Sequence, residues 1–290
     1  YLPVSPRDEQ WGIVCTTAGH QHVPPGTPYP VSEHPEHYLF YKGSGRTLDE
    51  YQLVYITAGR GRFESASCPS QTVEAGTMLL LFPNEWHSYS PDPGTGWTEW
   101  WVGFRGANID RLEQQGFLCR RRPLLRIGCS GGIERCYREI IGTVEEERVG
   151  FQPLISSIVL HILGSVLFKH SNLLYSDNPV VEKINRAKAI MRTDFGRNRS
   201  PEQIAREVGM GYTWFRRVFR EYVGMAPAQY QHTMRLNKAR ELLATTAHSI
   251  SEIAYALGFE SVSAFSLFFR LRERLSPSQY RARFRGGKGQ

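Results

Sequence analysis

A motif occurs twice near the C-terminus of this chain, with the first copy beginning at Pro201 and the second at Ser249. Two sets of residues recur at fixed offsets: Ile204, Ala205 and Gly209 at an offset of 49, and Phe215, Phe219, Pro227 and Tyr230 at an offset of 50. The second copy therefore has one additional residue in its turn. In each copy a short helix, a Gly-containing turn and a helix with an aromatic face follow one another, which predicts two helix-turn-helix units. Such a pair is typical of proteins that read DNA rather than of enzymes.

The charge distribution indicates a polyanionic partner for the C-terminal part alone. Residues 186–290 contain 19 Lys and Arg against 8 Asp and Glu, a net charge of +11, whereas residues 1–185 contain 16 against 20, a net charge of −4. A basic module joined to a mildly acidic one favours nucleic acid as the partner of the basic module. A solvated basic face without a partner is the alternative, and the repeated motif argues against it.

The five cysteines favour a reducing compartment. Cys15, Cys68, Cys119, Cys129 and Cys136 are odd in number and contain no Cys-x-x-Cys pair, so neither a disulfide framework nor a zinc site is predicted. We therefore expect a cytoplasmic protein. No apolar run approaches the roughly 18 residues of a membrane span, and no membrane partner is expected.

Residues 11–105 alternate strand-like runs with Gly and Pro punctuation. The clearest runs are 51–57, 71–74, 77–82 and 97–104. Short strands at this spacing predict an antiparallel barrel or jelly roll.

The run 97–104 (WTEWWVGF) carries the clearest candidate binding residues. With period-2 alternation, one face carries Trp97, Glu99 and Trp101, and the other carries Thr98, Trp100, Val102 and Phe104. A carboxylate between two indoles is costly to bury unless it is paired. Aromatic rings stack on the apolar faces of sugars, and a carboxylate or a guanidinium such as that of Arg46 binds paired hydroxyls. The alternative is that both Trp side chains are core and that Glu99 lies at a solvated edge.

His87, in the segment PNEWHSY, raises the question of a metal, because small barrels of the cupin type can hold metal on His and Glu clusters. Such a site typically needs a His-x-His pair on one strand and a later His, and no strand here carries that pair. We therefore expect His87 to be a pocket or structural histidine, with neither a metal nor a cofactor. No arrangement of Ser, Cys or His suggests a nucleophile with its base, so no enzymatic activity is expected.

Residues 133–175 change to a helical pattern. An i, i+3/i+4 apolar stripe is formed by Leu154, Ile155, Ile158, Val159, Ile162, Leu163, Val166 and Leu167. The stripe packs either on the barrel or against its copy in a second subunit, and the sequence leaves both open. DNA readers often dimerise to double their footprint, which favours a homodimer.

The first helix-turn-helix copy has a clear outward face. Four apolar residues fall on one side of its second helix and are predicted to be core: Phe215, Val218, Phe219 and Tyr222. Thr213, Arg216, Arg217 and Arg220 then point outward. Residues near the N-terminus of a recognition helix reach base edges, and those further along meet phosphates. We predict base contacts by Thr213, Arg216 and Arg217, and a backbone contact by Arg220.

In the second copy the outward face is less polar. With Phe265, Phe268 and Phe269 as core, the outward residues are Val262, Ser263, Ser266 and Leu267. The apolar pair suits thymine methyl groups, the two serines suit a base or a phosphate, and the first arginine on this face is Arg270. This unit is therefore predicted to position the protein more than to specify sequence. The alternative is that one copy has become a packing element.

The C-terminal part resembles the DNA-binding domain of the AraC family of bacterial transcription regulators. The segment IAYALGFESVSAFSLFFRLRERLSPSQYR is similar to the family pattern, with departures at Leu275, where the family usually has Gly, and at Leu267, where relatives often have a polar or basic base reader. The N-terminal half resembles the sugar-sensing arm of arabinose-type members in YQLVYITAGRGRFE, LLLFPNEWHSY and GWTEWWVGFRG. By motif position, this resemblance implies an effector pocket lined by Arg46, His87, Tyr89, Trp97, Glu99 and Trp101.

Together these features predict an α+β protein of two domains. The expected parts are a cupin-like effector-binding barrel over residues 1–130, a helical dimerisation segment over 131–176 and a double helix-turn-helix DNA-binding domain over 177–290. The predicted function is an effector-responsive activator of carbohydrate-utilisation genes. Its expected partners are double-stranded DNA, a sugar and a second copy of the chain, with RNA polymerase as a further candidate. Alternatives are a regulator with a non-sugar effector, an architectural DNA-binding protein without an effector, and a cupin-type metalloenzyme fused to a DNA module.

Overall fold

The structure is a computed structural model that describes residues 2–30, 45–175 and 179–285. The chain divides into two units, Tyr1–Tyr175 and Ser176–Gln290, and each is described by itself. The N-terminal unit combines a sheet with helices, and the C-terminal unit is helical in its described residues. The predicted α+β class is confirmed.

Strand β2 joins both walls of the N-terminal unit. The elements are α1 (Pro6–Glu9), β1 (Val14–Val23), β2 (Tyr51–Ser65), β3 (Cys68–Glu74), β4 (Thr77–Leu81), β5 (His87–Pro91), β6 (Trp97–Arg105), α2 (Ala107–Gln114), β7 (Leu124–Arg126), α3 (Gly131–Glu146) and α4 (Phe151–Tyr175). The main sheet has the order β1-β6-β2-β4-β7, and β3 and β5 also pair with β2. The first half of this 15-residue strand pairs with β4 and β6, and its second half pairs with β3 and β5. The barrel interior lies between these two walls.

Alternation along the strands separates two cores. On β6, Trp100 and Val102 belong to the core beneath the helices α3 and α4. Trp97 belongs to a second core inside the barrel, together with Ile56 and Phe63 of β2. Successive side chains of a strand point to opposite faces, so the two faces predicted for 97–104 are confirmed.

Helix α4 packs on the barrel with most of the predicted apolar stripe. Ile155, Val159, Ile162 and Val166 are fully buried in the core beneath the helices. Leu154, which the stripe included, is exposed. The buried part of the stripe therefore packs on the barrel of its own subunit and not against a second copy.

The same helix also has the length and composition of a membrane span. Its segment Phe151–Leu173 comprises 23 residues and contains an 18-residue stretch with a mean hydropathy of 1.8, so the expectation that no apolar run approaches this length was wrong. Core helices of globular proteins have the same property, and one side of α4 is buried against the sheet.

The C-terminal unit contains two helix-turn-helix units, each with its own core. The elements are α5 (Pro179–Thr193), α6 (Pro201–Glu207), α7 (Tyr212–Val223), α8 (Pro227–Thr245), α9 (Ile250–Ala256), α10 (Val262–Glu273) and α11 (Pro277–Arg285). The first reading unit is α6–α7, with Phe215 and Phe219 in its core, and the second reading unit is α9–α10, with Phe265 and Phe269 in its core. Helix α8 connects them.

The turns of the two reading units differ in length, as the offsets predict. Four residues separate α6 from α7, and five separate α9 from α10. Ser200 and Ser249 begin α6 and α9 with reciprocal capping boxes. The Ser261 hydroxyl accepts a hydrogen bond from the backbone of Ala264 and caps α10, whereas Gly211 provides no side-chain cap for α7.

The equivalent turn glycines, Gly209 and Gly258, have different surroundings. Both adopt the left-handed conformation, with φ of 68° and 74°. A Cβ added at Gly209 would lie 3.6 Å from the flexible Lys183 Nζ, whereas one added at Gly258 would lie 2.2 Å from the backbone oxygen of Phe195. Both positions therefore favour glycine for its φ, and only Gly258 also requires the space.

Gly258→Ala should lower the free energy of unfolding by roughly 2–5 kcal/mol, and Gly209→Ala by about 1–2 kcal/mol. Both substitutions strain the left-handed backbone, but only the first forces a displacement of the Phe195 backbone. Chemical denaturation followed by helical circular dichroism measures the two losses. Equal losses would contradict the close approach at Gly258.

Candidate effector pocket and DNA-reading surface

The barrel interior places Tyr29, which sequence reasoning missed, beside three of the six predicted pocket residues: Tyr89, Trp97 and Glu99. The Tyr29 hydroxyl donates to Glu99 Oε1 at 3.3 Å, and its ring centroid lies 5.9 Å from that of Trp97 and 6.2 Å from that of Tyr89. Tyr29 belongs to a Gly/Pro-rich segment without periodicity. The only signal in the sequence is an aromatic residue between two prolines.

Arg46 is fixed to β5 by both its main chain and its side chain. Its backbone exchanges two hydrogen bonds of 2.9 Å with His87. Its Nη2 donates to the Tyr89 hydroxyl at 2.8 Å, and its Nε donates to His87 Nε2 at 3.4 Å. The guanidinium carbon lies 5.6 Å from the centroid of the Tyr89 ring. This arrangement places a cation on the inner wall of the barrel.

His87 is a neutral ring whose tautomer follows from its partners. Its Nδ1 lies 3.0 Å from the Glu85 carbonyl oxygen, which can only accept, so Nδ1 carries the hydrogen and Nε2 accepts from Arg46. Burial, and next the charge of Arg46, lower the pKa of His87 to about 4. Both ring nitrogens are engaged within the protein, and the side chain is 1% exposed.

Glu99 lies in the interior and not at a solvated edge. It is 1% exposed, on a strand that pairs with β1 on one side and β2 on the other. Burial raises the pKa of Glu99 to about 7, although the Tyr29 hydrogen bond and the charge of Arg46 oppose this rise. Near neutral pH the carboxyl group therefore exists in both forms and can donate or accept a hydrogen bond.

The two tryptophans present different groups to the interior. Trp97 is 1% exposed, and among the described residues no acceptor lies within hydrogen-bond distance of its indole Nε1. A buried N–H without a partner is costly, and a ligand oxygen would satisfy it. Trp101 is half-buried against the barrel core and lies over Gly19, where a Cβ would be 2.2 Å from the indole.

These groups suit an uncharged ligand that carries hydroxyls on one side and an apolar face on the other. Trp97 offers a donor, Glu99 offers a carboxyl group of either form, Arg46 contributes a positive charge, and the aromatic rings offer stacking surfaces. Within residues 2–30, 45–175 and 179–285, no group of three or more His, Cys, Asp or Glu side chains is arranged to hold a metal ion.

In the first reading unit, all four predicted contact residues lie on the exposed side of α7. Thr213, Arg216, Arg217 and Arg220 are exposed and line a shallow concave surface together with Tyr212 and Glu221. Phe215 and Phe219 are fully buried behind them. Trp214, which follows Thr213 on α7, is 41% exposed. Only polar residues of this helix were assigned to its outward face from the sequence, so Trp214 was not among them.

In the second reading unit, the outward face is narrower than predicted. Ser263, Leu267 and Arg270 are exposed on α10, whereas Val262 and Ser266 are half-buried. Val262 packs against the second core. Phe268, predicted to be core, is also half-buried and lies beneath Arg272, whose guanidinium carbon is 4.1 Å from the ring centroid.

Two family models match the chain. The AraC-like ligand binding domain matches residues 37–163, and a helix-turn-helix domain matches residues 204–283. The Msm operon regulatory protein of Streptococcus mutans serotype c is 24% identical over 243 residues, which cover 80% of this chain and 84% of that protein. The raffinose operon transcriptional regulatory protein RafR of Pediococcus pentosaceus is 24% identical over 250 residues, which cover 83% and 87%. The HTH-type transcriptional activator RhaS of Salmonella paratyphi B is 29% identical over 245 residues, which cover 80% and 85%.

Glu99 and His87 should make opposite contributions to the pH dependence of stability. The pKa of Glu99 is raised from 4.5 to about 7, so its contribution is complete in acid and is lost as the pH rises towards 7. The pKa of His87 is lowered from 6.5 to about 4, so its contribution is complete above pH 6.5 and is lost as the pH falls towards 4.

Single variants separate the two contributions. Relative to the wild type, the free energy of unfolding of Glu99→Gln should rise by about 3 kcal/mol between pH 4.5 and 7. That of His87→Gln should fall by about 3 kcal/mol between pH 4 and 6.5. Denaturation at a series of pH values measures both, with the exposed Glu74→Gln as a control for loss of a carboxylate. Difference curves of the same sign would contradict the assignment.

Proposed function

Because the chain belongs to the AraC family of transcription regulators, we propose that it is an effector-responsive regulator that activates carbohydrate-utilisation genes in the cytoplasm. The observation that carries the proposal is the presence, in one chain, of a buried polar and aromatic cluster inside the barrel and of two helices with exposed outward faces. The pocket receives the effector, and the helices bind double-stranded DNA.

A sugar is the effector class that the pocket supports best. Hydroxyls of a sugar match the Trp97 donor, the positive charge of Arg46 and the carboxyl group of Glu99, while Trp101 offers a stacking face. The name of one relative refers to a raffinose operon, and another relative is named as an activator. Binding acts on DNA by favouring one arrangement of the reading units, which requires the effector to prefer that arrangement.

A homodimer formed through α4 would double the DNA footprint. On the side of α4 away from the sheet, Leu160 and Phe168 are exposed one turn to either side of Gly164. Exposed apolar side chains around a small residue allow a second helix to approach closely. Double-stranded DNA and a second copy are therefore the proposed macromolecular partners, and RNA polymerase is the further partner that activation requires.

A matching sugar should stabilise the full-length chain by about 2.7 kcal/mol when its concentration is a hundred times its Kd. Thermal unfolding against a panel of mono- and oligosaccharides identifies it. Glu99→Ala and Trp101→Ala should each weaken binding by at least about tenfold, because each removes a contact with the sugar. Trp11→Ala, at an exposed tryptophan, is the matched control and should bind as the wild type does.

The results of the thermal unfolding screen test the proposed effector site and leave the proposed DNA binding untouched. Stabilisation that persists in both pocket variants would place the sugar elsewhere. Stabilisation by a non-sugar metabolite alone would replace the sugar with that effector class, and no response to any metabolite would leave a DNA-binding protein without an effector.

The arginines of α7 should divide into a reader of bases and a reader of phosphates. Arg216→Ala should reduce discrimination between the preferred and random DNA by about 1–3 kcal/mol. Arg220→Ala should weaken binding to all sequences and lower the slope of log K against log salt by about 1. Binding titrations at several salt concentrations measure both, on duplexes selected from a random library by the full-length chain.

Arg62→Ala, at an exposed arginine of the barrel unit, controls for the loss of one positive charge. Equal effects of Arg216→Ala and Arg220→Ala on selected and random DNA would contradict the division of roles. A selection that enriches no sequence would contradict the proposed function.

A further inference from the structure

The two reading units are connected twice. Helix α8 runs from the first unit to the second, and the segment 194–199, here called the clasp, joins α5 to α6. Helix α5 packs into the first core through Ile184 and Met191. The clasp thus leaves the first core, contacts the second reading unit and returns to the first at α6.

The clasp contacts the turn of the second reading unit and the connecting helix α8. Phe195 packs against the second core, and its carbonyl oxygen lies against Gly258 in the turn of that unit. The Asn198 side-chain oxygen accepts a hydrogen bond of 3.0 Å from Nη2 of Arg235 in α8. Asn198 itself adopts a φ of 43°, a conformation that Asn tolerates better than most residues.

The end of the clasp is held to the first reading unit and to α8. Arg199 forms ion pairs with Asp194, at the start of the clasp, and with Glu207 of α6. Gln231 of α8 donates a hydrogen bond of 2.7 Å to the Arg199 carbonyl oxygen. The clasp is therefore attached at both ends while its middle contacts the second unit.

Arg235 is a buried cation, and Asn198 is one of its few hydrogen-bond partners. The Arg235 side chain is 8% exposed, and its guanidinium carbon lies 5.4 Å from the ring centroid of Phe259, which follows Gly258. Its buried Nε has no partner among the described residues, and burial lowers the pKa of its guanidinium. A buried cation with few partners depends strongly on each of them.

We infer that the clasp, through Asn198 and Arg235, fixes the second reading unit relative to the first and thereby sets the spacing of the two DNA half-sites. This inference rests on the proposed DNA-binding function. Two recognition helices held rigidly enter successive major grooves at one separation only. A rigid pair therefore loses affinity when base pairs are inserted between the half-sites, whereas a loosely joined pair tolerates the insertion.

The test uses duplexes selected from a random library by the full-length chain, with one to three base pairs inserted between the two half-sites located by footprinting. Wild-type affinity should fall by at least about tenfold on insertion. Asn198→Gly removes the acceptor and keeps the positive φ, and Arg235→Met removes the donors and keeps an unbranched side chain as far as the position of Nε. Both should reduce the spacing penalty to less than about threefold.

Two further variants separate positioning from general destabilisation. Asn198→Asp keeps an acceptor for Arg235 and should retain the wild-type penalty. Lys238→Met removes a cation three residues further along α8, whose side chain is 39% exposed and pairs with Glu241, and should retain the penalty too. Variants Asn198→Gly and Arg235→Met that bind every duplex more weakly but keep the full penalty would overturn the inference.

If the selection enriches no DNA sequence, the proposed function is contradicted. The role of the clasp can still be tested by a distance measurement without DNA. Genetically encoded spin labels at Glu221 and Leu271, exposed at equivalent positions of α7 and α10, report the distance between the reading units. The distribution should be narrow in the wild type and in Lys238→Met, and should extend to new distances in Asn198→Gly. Equal widths in all three proteins would overturn the inference.

Discussion

The pleat of strand β6 places successive side chains in two environments, and the N-terminal unit depends on this separation. Trp100 and Val102 complete the core beneath the helices, while Trp97 and Glu99 lie inside the barrel. A shift of the pairing by one residue would exchange the two sets. Strand β6 pairs with β1 on one side and with β2 on the other, so hydrogen bonds to two neighbouring strands determine its register. That double pairing keeps a carboxyl group in the interior and the helices attached to the opposite face.

Burial determines the charge state of the pocket. It moves both Glu99 and His87 towards their neutral forms, from opposite directions, and leaves the guanidinium of Arg46 as the cation on the inner wall. The Arg46 donors are directed to His87 and Tyr89, which orient the group. A neutral ligand can then enter such a pocket without bringing a counter-ion, since the ionisable groups adjust by protonation.

Periodicity made part of this structure predictable. The two faces of β6 and the longer turn of the second reading unit follow from backbone repeats that are visible in the sequence. Two other features could not be predicted in this way. Tyr29 and Asn198 lie in irregular segments, whose path depends on tertiary packing and not on a sequence repeat. The contact between Asn198 and Arg235 was therefore not visible in the sequence. Helix α4 has apolar residues on both of its faces. The sequence therefore did not show whether the apolar stripe packs on the barrel or on a second subunit. Val262, which the sequence placed on the outward face, also packs against the second core, because a residue at the start of a helix can reach the core from the edge of that face.

The two copies of the motif have become structurally non-equivalent. Phe259, in the longer second turn, lies near the guanidinium of Arg235, and Met210 occupies the corresponding position in the first turn. Gly258 accommodates the Phe195 backbone, whereas Gly209 has no such neighbour. Copying the first turn into the second position would remove an aromatic ring and shorten the turn by one residue. Recombination that homogenises tandem repeats would therefore damage this protein, and the two repeats are constrained to evolve as separate lineages within one gene.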